Sequence, residues 1–206
     1  ADIMRYGTYI FDFGQVIGEF NKYDIVGRFV PDYEDRELVK SVFFARDHWD
    51  KLDRGAITDN EVKEMLRAKL PERLHAVSDA LYDGWVAASP VVDGMDSLIR
   101  DLKNAGAKLY LLSNFSVQFA EHYNDSPVFG ELLGLFDGLV ISGPIKMVKP
   151  DHAIFEYLFK KYDLTPGECL FIDDNKANIE AGNREGLNTY LFDGDAEKLR
   201  GYIFGE

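Results

Sequence analysis

The sequence predicts an α/β protein: a doubly wound parallel sheet carrying an inserted α-helical segment. Three observations point there. Short apolar runs alternate with stretches of helical periodicity, the rhythm that builds a parallel sheet. The runs are apolar throughout, as strands covered on both faces are, and do not alternate with polar residues. After the first run the rhythm stops, and a long stretch carries helical patterns with no convincing strand.

In chain order, the first strand is Tyr9-Ile-Phe-Asp12. The stretch from roughly Asn21 to Ala88 follows, with helices expected over Glu37–Ala45, Asp59–Leu70 and His75–Val86. The alternation resumes with a helix at Met95–Ala105, a strand at Lys108–Ser113 and a helix at Phe115–Tyr123. A strand at Gly138–Ser142, a helix at His152–Tyr162, a strand at Cys169–Asp173 and a helix at Lys176–Glu185 continue it. Thr189–Phe192 closes it, after the turn-like Gly186-Leu-Asn188. The expected division is a Rossmann-like core from residues 1–20 and 89–206, with residues 21–88 as a helical cap over the C-terminal end of the first strand.

Composition narrows the function classes. The 206 residues fit one such core plus a small insert, and 46% apolar residues suffice for a packed interior. A net charge of −13, with no basic stripe, argues against nucleic acid, although a pocket inside an acidic protein can still be locally positive. No apolar run approaches the roughly 20 residues that cross a bilayer. Ala1–Tyr9 shows no secretory pattern, and the single cysteine, Cys169, begins an apolar run and reads as a buried thiol. A cytoplasmic protein, monomeric or weakly dimeric, is expected.

In an open parallel sheet, ligands sit beyond the C-terminal strand ends, so the polar residues closing each run converge on one crevice. These are Asp12, Ser113 with Asn114, and the pair Asp173-Asp174. Singly, each also reads as a cap or turn residue. Two adjacent carboxylates after a buried strand repel unless a cation offsets them, and magnesium suits that setting; a solvated Asp-Asp-Asn turn or helix cap is the competing reading. Lys149 stands before Pro150-Asp151 at an expected helix start, with Lys146 as its rival. Ser113 and Asn114, ahead of the Phe115 helix, would supply a hydroxyl, an amide and helix N-terminal N–H groups to an anion.

Together these residues carry a family resemblance. Phe11-Asp-Phe-Gly-Gln-Val-Ile17, Leu112-Ser-Asn114, Lys149-Pro-Asp151 and Phe171-Ile-Asp-Asp-Asn175 resemble, in order and spacing, the four motifs of the haloacid dehalogenase-like hydrolase superfamily. His48-Trp49 and Asp53-Arg-Gly-Ala-Ile-Thr58, followed by Glu61, resemble the helical cap of its epoxide-hydrolase-like and sugar-1-phosphate phosphatase branch. The resemblance implies that Asp12 attacks phosphorus while Ser113, Asn114 and Lys149 hold the phosphoryl group. It also implies a magnesium site at Asp12, the Gly14 carbonyl, Asp174 and, in support, Asp173.

One position departs from the family pattern. The superfamily's phosphatases usually carry a second aspartate two residues after the nucleophile, as the acid for the leaving group, and this chain has Gly14 there. Losing such a group lowers rates by about a hundred- to ten-thousand-fold. His48 and Gln15 are the substitutes considered, although a packed or exposed cap histidine is the plainer account of His48. The leading expectation is a magnesium-dependent phosphatase acting on a small phosphorylated metabolite, such as a sugar phosphate, through an aspartyl-phosphate. The alternatives are a metal-free 2-haloacid dehalogenase and a weakly active phosphate-binding regulatory protein. Trp49, Trp85 and Tyr82 read either as core or as substrate platforms.

Overall fold

The structure, a computed structural model, describes residues 3–205; Ala1, Asp2 and Glu206, inside the expected core segments, lie outside the described residues. Five strands form one parallel sheet: β1 (Thr8–Phe11), β2 (Lys108–Ser113), β3 (Gly138–Ile141), β4 (Cys169–Asp173) and β5 (Asn188–Leu191). Their order is β3-β2-β1-β4-β5. From β1 the chain therefore builds first to one side, through β2 and β3, and then to the other, through β4 and β5. That reversal leaves a crevice at the C-terminal end of β1.

Alternate strand residues serve opposite faces, and both faces are covered. Tyr9, Phe11, Leu109, Leu111, Leu170 and Ile172 join one apolar cluster, which Leu98, Leu102, Leu199 and Ile203 complete. Ile10, Tyr110, Leu112, Cys169 and Phe171 join a second, closed by Ile154, Phe155, Leu158 and Ile179. The continuous apolar runs of the sequence follow from this two-sided burial. Cys169 is buried as expected, its thiol pushed up to about 11 by that burial. β5 is the exception, an edge strand of half-buried and exposed residues.

The segment after β1 contains α1 (Lys22–Gly27), α2 (Tyr33–Phe43), α3 (Arg46–Asp53), α4 (Asp59–Ala68) and α5 (His75–Gly84). Thr58 and Glu61 form a reciprocal capping box that starts α4. The rest of the chain adds α6 (Met95–Asn104), α7 (Val117–His122), α8 (Pro127–Leu133), α9 (Ser142–Ile145), α10 (His152–Tyr162), α11 (Lys176–Arg184) and α12 (Ala196–Phe204). Helices α1, α3, α8, α9 and α12 were not among the sequence expectations. In α3 only His48 and Leu52 are buried, too few to show a period. The helix expected from Phe115 begins at Val117, because the Ser116 hydroxyl caps it by accepting the Phe119 N–H. No helix among the described residues is long and apolar enough to cross a membrane.

Candidate active site

Asp12 follows β1 at the crevice, and its amide donates to the Ile172 carbonyl of β4 at 3.0 Å. Asp12 Oδ1 accepts the Phe13 N–H at 2.8 Å and the Lys149 ammonium at 3.0 Å; among the described residues no N–H group reaches Oδ2. Lys149 is 3% exposed and spends all three of its N–H groups, on Asp12 Oδ1, on the Leu112 carbonyl at 2.7 Å and on Asp173 Oδ2 at 2.7 Å. Its rival Lys146 is exposed, with left-handed backbone after α9. The proline step does not open a helix at Lys149: α10 begins at His152, after Asp151, which makes no side-chain capping bond.

The two adjacent aspartates behave differently. Asp173 is fully buried, and both oxygens are taken: Oδ1 by the Asn175 amide, Oδ2 by Lys149 and the Asn178 side chain. Asp174 lines a cavity of about 320 Å3 together with Asp12, Gly14, Asn114 and Lys149. Asn175 caps α11, so the turn-and-cap reading of this stretch holds alongside the clustering of its carboxylates.

The expected anion cradle is only partly as foreseen. The Phe115 N–H is already donated to Ser142 Oγ at 2.9 Å, and the Asn114 amide is bound on both sides to the Lys149 backbone, at 2.8 and 2.9 Å. The Phe115 N–H is thus not free for a ligand as the sequence suggested, and the Asn114 amide keeps one of its two N–H groups, because the β2–α7 loop is tied to its neighbours. The Ser113 hydroxyl, buried to 1% exposure, has no hydrogen-bond partner. A native hydroxyl left so is uncommon and suits a group awaiting an acceptor.

Electrostatically the site is overloaded with negative charge. Oxygens of Asp12, Asp173 and Asp174 lie within 4.8 Å of one another, against one lysine. Burial pushes the Asp12 carboxyl well above its ordinary range, and the charges of Asp173 and Asp174 add to that, while Lys149 opposes it. Burial also raises Asp174; a hydrogen bond with Asp12 opposes this, and the charge of Asp173 adds to it. Burial pulls the Lys149 ammonium down, but Asp12 and Asp173 outweigh it and hold it above its usual value. One ammonium among three carboxylates leaves room for a divalent cation with oxygen ligands, and Asp12 Oδ2, which accepts from no N–H group among the described residues, suits one.

The opposite wall comes from the inserted helices: Phe44, Arg46, Trp49, Asp53 and Trp85 line the cavity with Phe20. Trp49 and Trp85 therefore face it, whereas Tyr82 is core, bonded to Asp59. His48 is packed away at 1% exposure, its Nε2 2.6 Å from the Phe43 carbonyl. Gln15 does line the cavity, but its amide is closed onto the Phe20 backbone. The Gly14 position is built around a missing side chain: a Cβ there would stand 3.2 Å from the Phe20 ring. Arg46 and Phe44 were not among the sequence candidates, and Asp53 stood there only as the first residue of the cap-like stretch Asp53–Thr58, with no cavity role.

A family model described as haloacid dehalogenase-like hydrolase matches residues 9–186. The D-ribitol-5-phosphate phosphatase of Bacteroides thetaiotaomicron is 26% identical over 88% of this chain and 89% of its own. The sesquiterpene phosphatase astK of Aspergillus oryzae is 27% identical over 68% of this chain and 69% of its own. A 2-haloacid dehalogenase of Burkholderia cepacia also matches, at 23% identity over 66% of this chain and 58% of its own. Among solved structures, a haloacid dehalogenase family enzyme of Bacteroides thetaiotaomicron in complex with magnesium and inorganic phosphate aligns with a TM-score of 0.69. It is 21% identical and covers 94% of this chain and 98% of its own.

Proposed function

The chain belongs to the haloacid dehalogenase-like hydrolases, and on that premise we propose that it is a magnesium-dependent phosphatase acting on a small phosphate ester through an aspartyl-phosphate. The observation that carries this is the Asp12 carboxylate. One of its oxygens is fixed by Lys149 and the Phe13 amide, while the other accepts from no N–H group among the described residues, at a cavity that Asp174 shares.

Asp12 Oδ2 attacks phosphorus, with the Oδ1 contacts setting the angle of the carboxylate. The Ser113 hydroxyl donates to a phosphoryl oxygen, which fits its lack of any partner. Lys149 opposes the burial that raises Asp12 and is bonded to Asp173, and with its N–H groups already taken it touches the phosphoryl group only by releasing one of these partners. Asp12, the Gly14 carbonyl and Asp174 would hold the magnesium ion, with Asp173 orienting Lys149 behind them. Bound there, magnesium would supply a Lewis acid that offsets charge on the transferring phosphoryl group. Residues 21–88 serve as the cap that encloses the substrate, and a cavity of about 320 Å3 suits a small metabolite, a sugar phosphate included.

The phosphatase relatives favour this reading over the dehalogenase one, and a metal-free reaction would leave Asp174 without a task. The test is turnover of a panel of phosphate esters with radiolabelled phosphorus, acid-quenched and assayed for label on protein. Wild type should retain label and release phosphate. Asp12→Asn should lose both by at least about 10⁴-fold while keeping its fold. Asp174→Ala should lose magnesium binding in calorimetry as well as activity. Phosphate release by Asp12→Asn, or full turnover in excess chelator, would overturn the proposal.

A further inference from the structure

We infer that Asp53, at the end of α3, is the general acid–base of this site, taking over the task that no side chain at Gly14 can perform. The inference rests on the aspartyl-phosphate reading above. Its basis is an elimination. The only carboxyls among the described residues lining the cavity are Asp12, Asp174 and Asp53. Asp12 is the nucleophile, and Asp174 abuts it within the acidic cluster. The other substitutes are closed off: the His48 ring is buried against the Phe43 carbonyl, and the Gln15 amide, which has no proton to give at neutral pH, is bonded to Phe20.

Asp53 is also held in place, as an acid must be. Its carbonyl accepts the Ser142 hydroxyl at 2.5 Å, and that hydroxyl in turn accepts the Phe115 N–H of the β2–α7 loop. Two residues on, Gly55 has a φ of +65° and lies so close to Gly143 that a Cβ would stand 2.2 Å from its carbonyl oxygen. The turn that ends α3 is thus seated on the core beside β3. Asp53 borders both the main cavity and an adjoining cleft of about 290 Å3 shared with Asn114 and Lys149.

Its protonation suits the task. Burial pushes the Asp53 carboxyl up to about 7. Facing it are Arg46 and Asp50 of α3, Arg54 just beyond, and Lys149 from the core. Asp50 pushes the same way as burial, and the three cations oppose it. An acid with a pKa near the working pH can both give and recover a proton.

The step balances. As the Asp12 oxygen bonds to phosphorus, the bond from phosphorus to the ester oxygen breaks, and that oxygen takes the Asp53 proton and leaves as alcohol. Water then attacks phosphorus and passes a proton to the Asp53 carboxylate. The phosphorus–Asp12 bond breaks, and both residues are restored.

The test compares p-nitrophenyl phosphate with p-nitrobenzyl phosphate, which share a body but differ in how much the leaving oxygen needs a proton. Asp53→Asn should lower kcat on the benzyl ester by about 10²- to 10⁴-fold. It should lower kcat on the nitrophenyl ester far less, and the fall in benzyl-ester kcat above pH 7 should vanish. Asp53→Glu should restore part of the benzyl-ester rate. The ratio of the two rates within one preparation is independent of how much protein is folded. Equal losses on both esters, or a wild type active only on the nitrophenyl ester, would overturn the role of Asp53 alone. A wild type inactive on both would overturn the phosphatase reading and this inference with it.

Discussion

On the core side of the cavity, Asp12, Lys149 and Asp173 form a closed set in which the ammonium spends every N–H and Asp173 every oxygen. On the inserted side, Arg46 pairs with Asp50, at 2.8 Å on the surface, while Phe44 and Trp49 each pack edge to face on Trp85, with centroids 6.5 and 5.5 Å apart. The first wall is a set of charges that cannot be altered singly without stranding another. The second consists of aromatic surfaces and one carboxyl held by a backbone contact. On the proposed function, attack at phosphorus belongs to the first wall, and proton transfer by Asp53 and selection among substrates to the second.

The sharpest way to break that contrast is Lys149→Met. It strands two buried carboxylates, so the protein should lose about 3–5 kcal/mol of stability as well as its turnover, measurable by urea unfolding. A stable, folded Lys149→Met protein would mean that the core wall is not interdependent.

A smaller effect is expected at the junction of the two walls. Gly55→Ala must place a side chain on left-handed backbone against the Gly143 carbonyl. It should lose about 1–2 kcal/mol from backbone strain alone, with a further loss from the contact, and its kcat should fall more than its melting temperature implies. An unchanged kcat would detach the α3 turn from the chemistry.

The walls should also separate by pH. Asp12, Asp174 and Asp53 all have pKa values raised on folding, so between the unfolded carboxylate value and the folded one the native state holds protons that the unfolded state has released. In chelator, stability should be greatest near pH 4 and decline as pH rises toward 7. Magnesium should flatten that decline, because it favours the ionised carboxylates of the core wall. Thermal melts across this range, with and without magnesium, would show it; a chelated protein that gains stability from pH 4 to 7 would contradict the assignment.

The smallest change is expected from Trp49→Ala, which removes one aromatic face of the cavity. KM should rise by roughly five- to tenfold, about 1 kcal/mol, with kcat little affected. A large fall in kcat would show that Trp49 does more than select.

How much was legible follows the same division. Asp12 and Asp174 could be placed at one sheet edge because a parallel strand delivers its last residue to a known side, and apolar runs mark where strands end; Lys149, eight residues past β3, was placed by its resemblance to a family motif. Helix α3 was not legible, since its two buried residues leave no period, and Asp53 stood in a cap-like stretch that said nothing of its place at the cavity. Ser142 was visible as the end of a strand run, yet not as the hydroxyl that joins the Phe115 amide to the Asp53 carbonyl.

The sequence by itself determined the α/β rhythm, the two-sided burial of the strands and the family, because these depend on local periodicity and on residues in fixed order. Only the tertiary structure decided which polar groups are spent and which are free. The Phe115 N–H was taken by a partner 27 residues away, one Asn114 N–H by a partner 35 residues away, and among the described residues the Ser113 hydroxyl was left without one. Whether a buried donor finds an acceptor depends on what the fold brings within about 3 Å of it, and no local pattern encodes that.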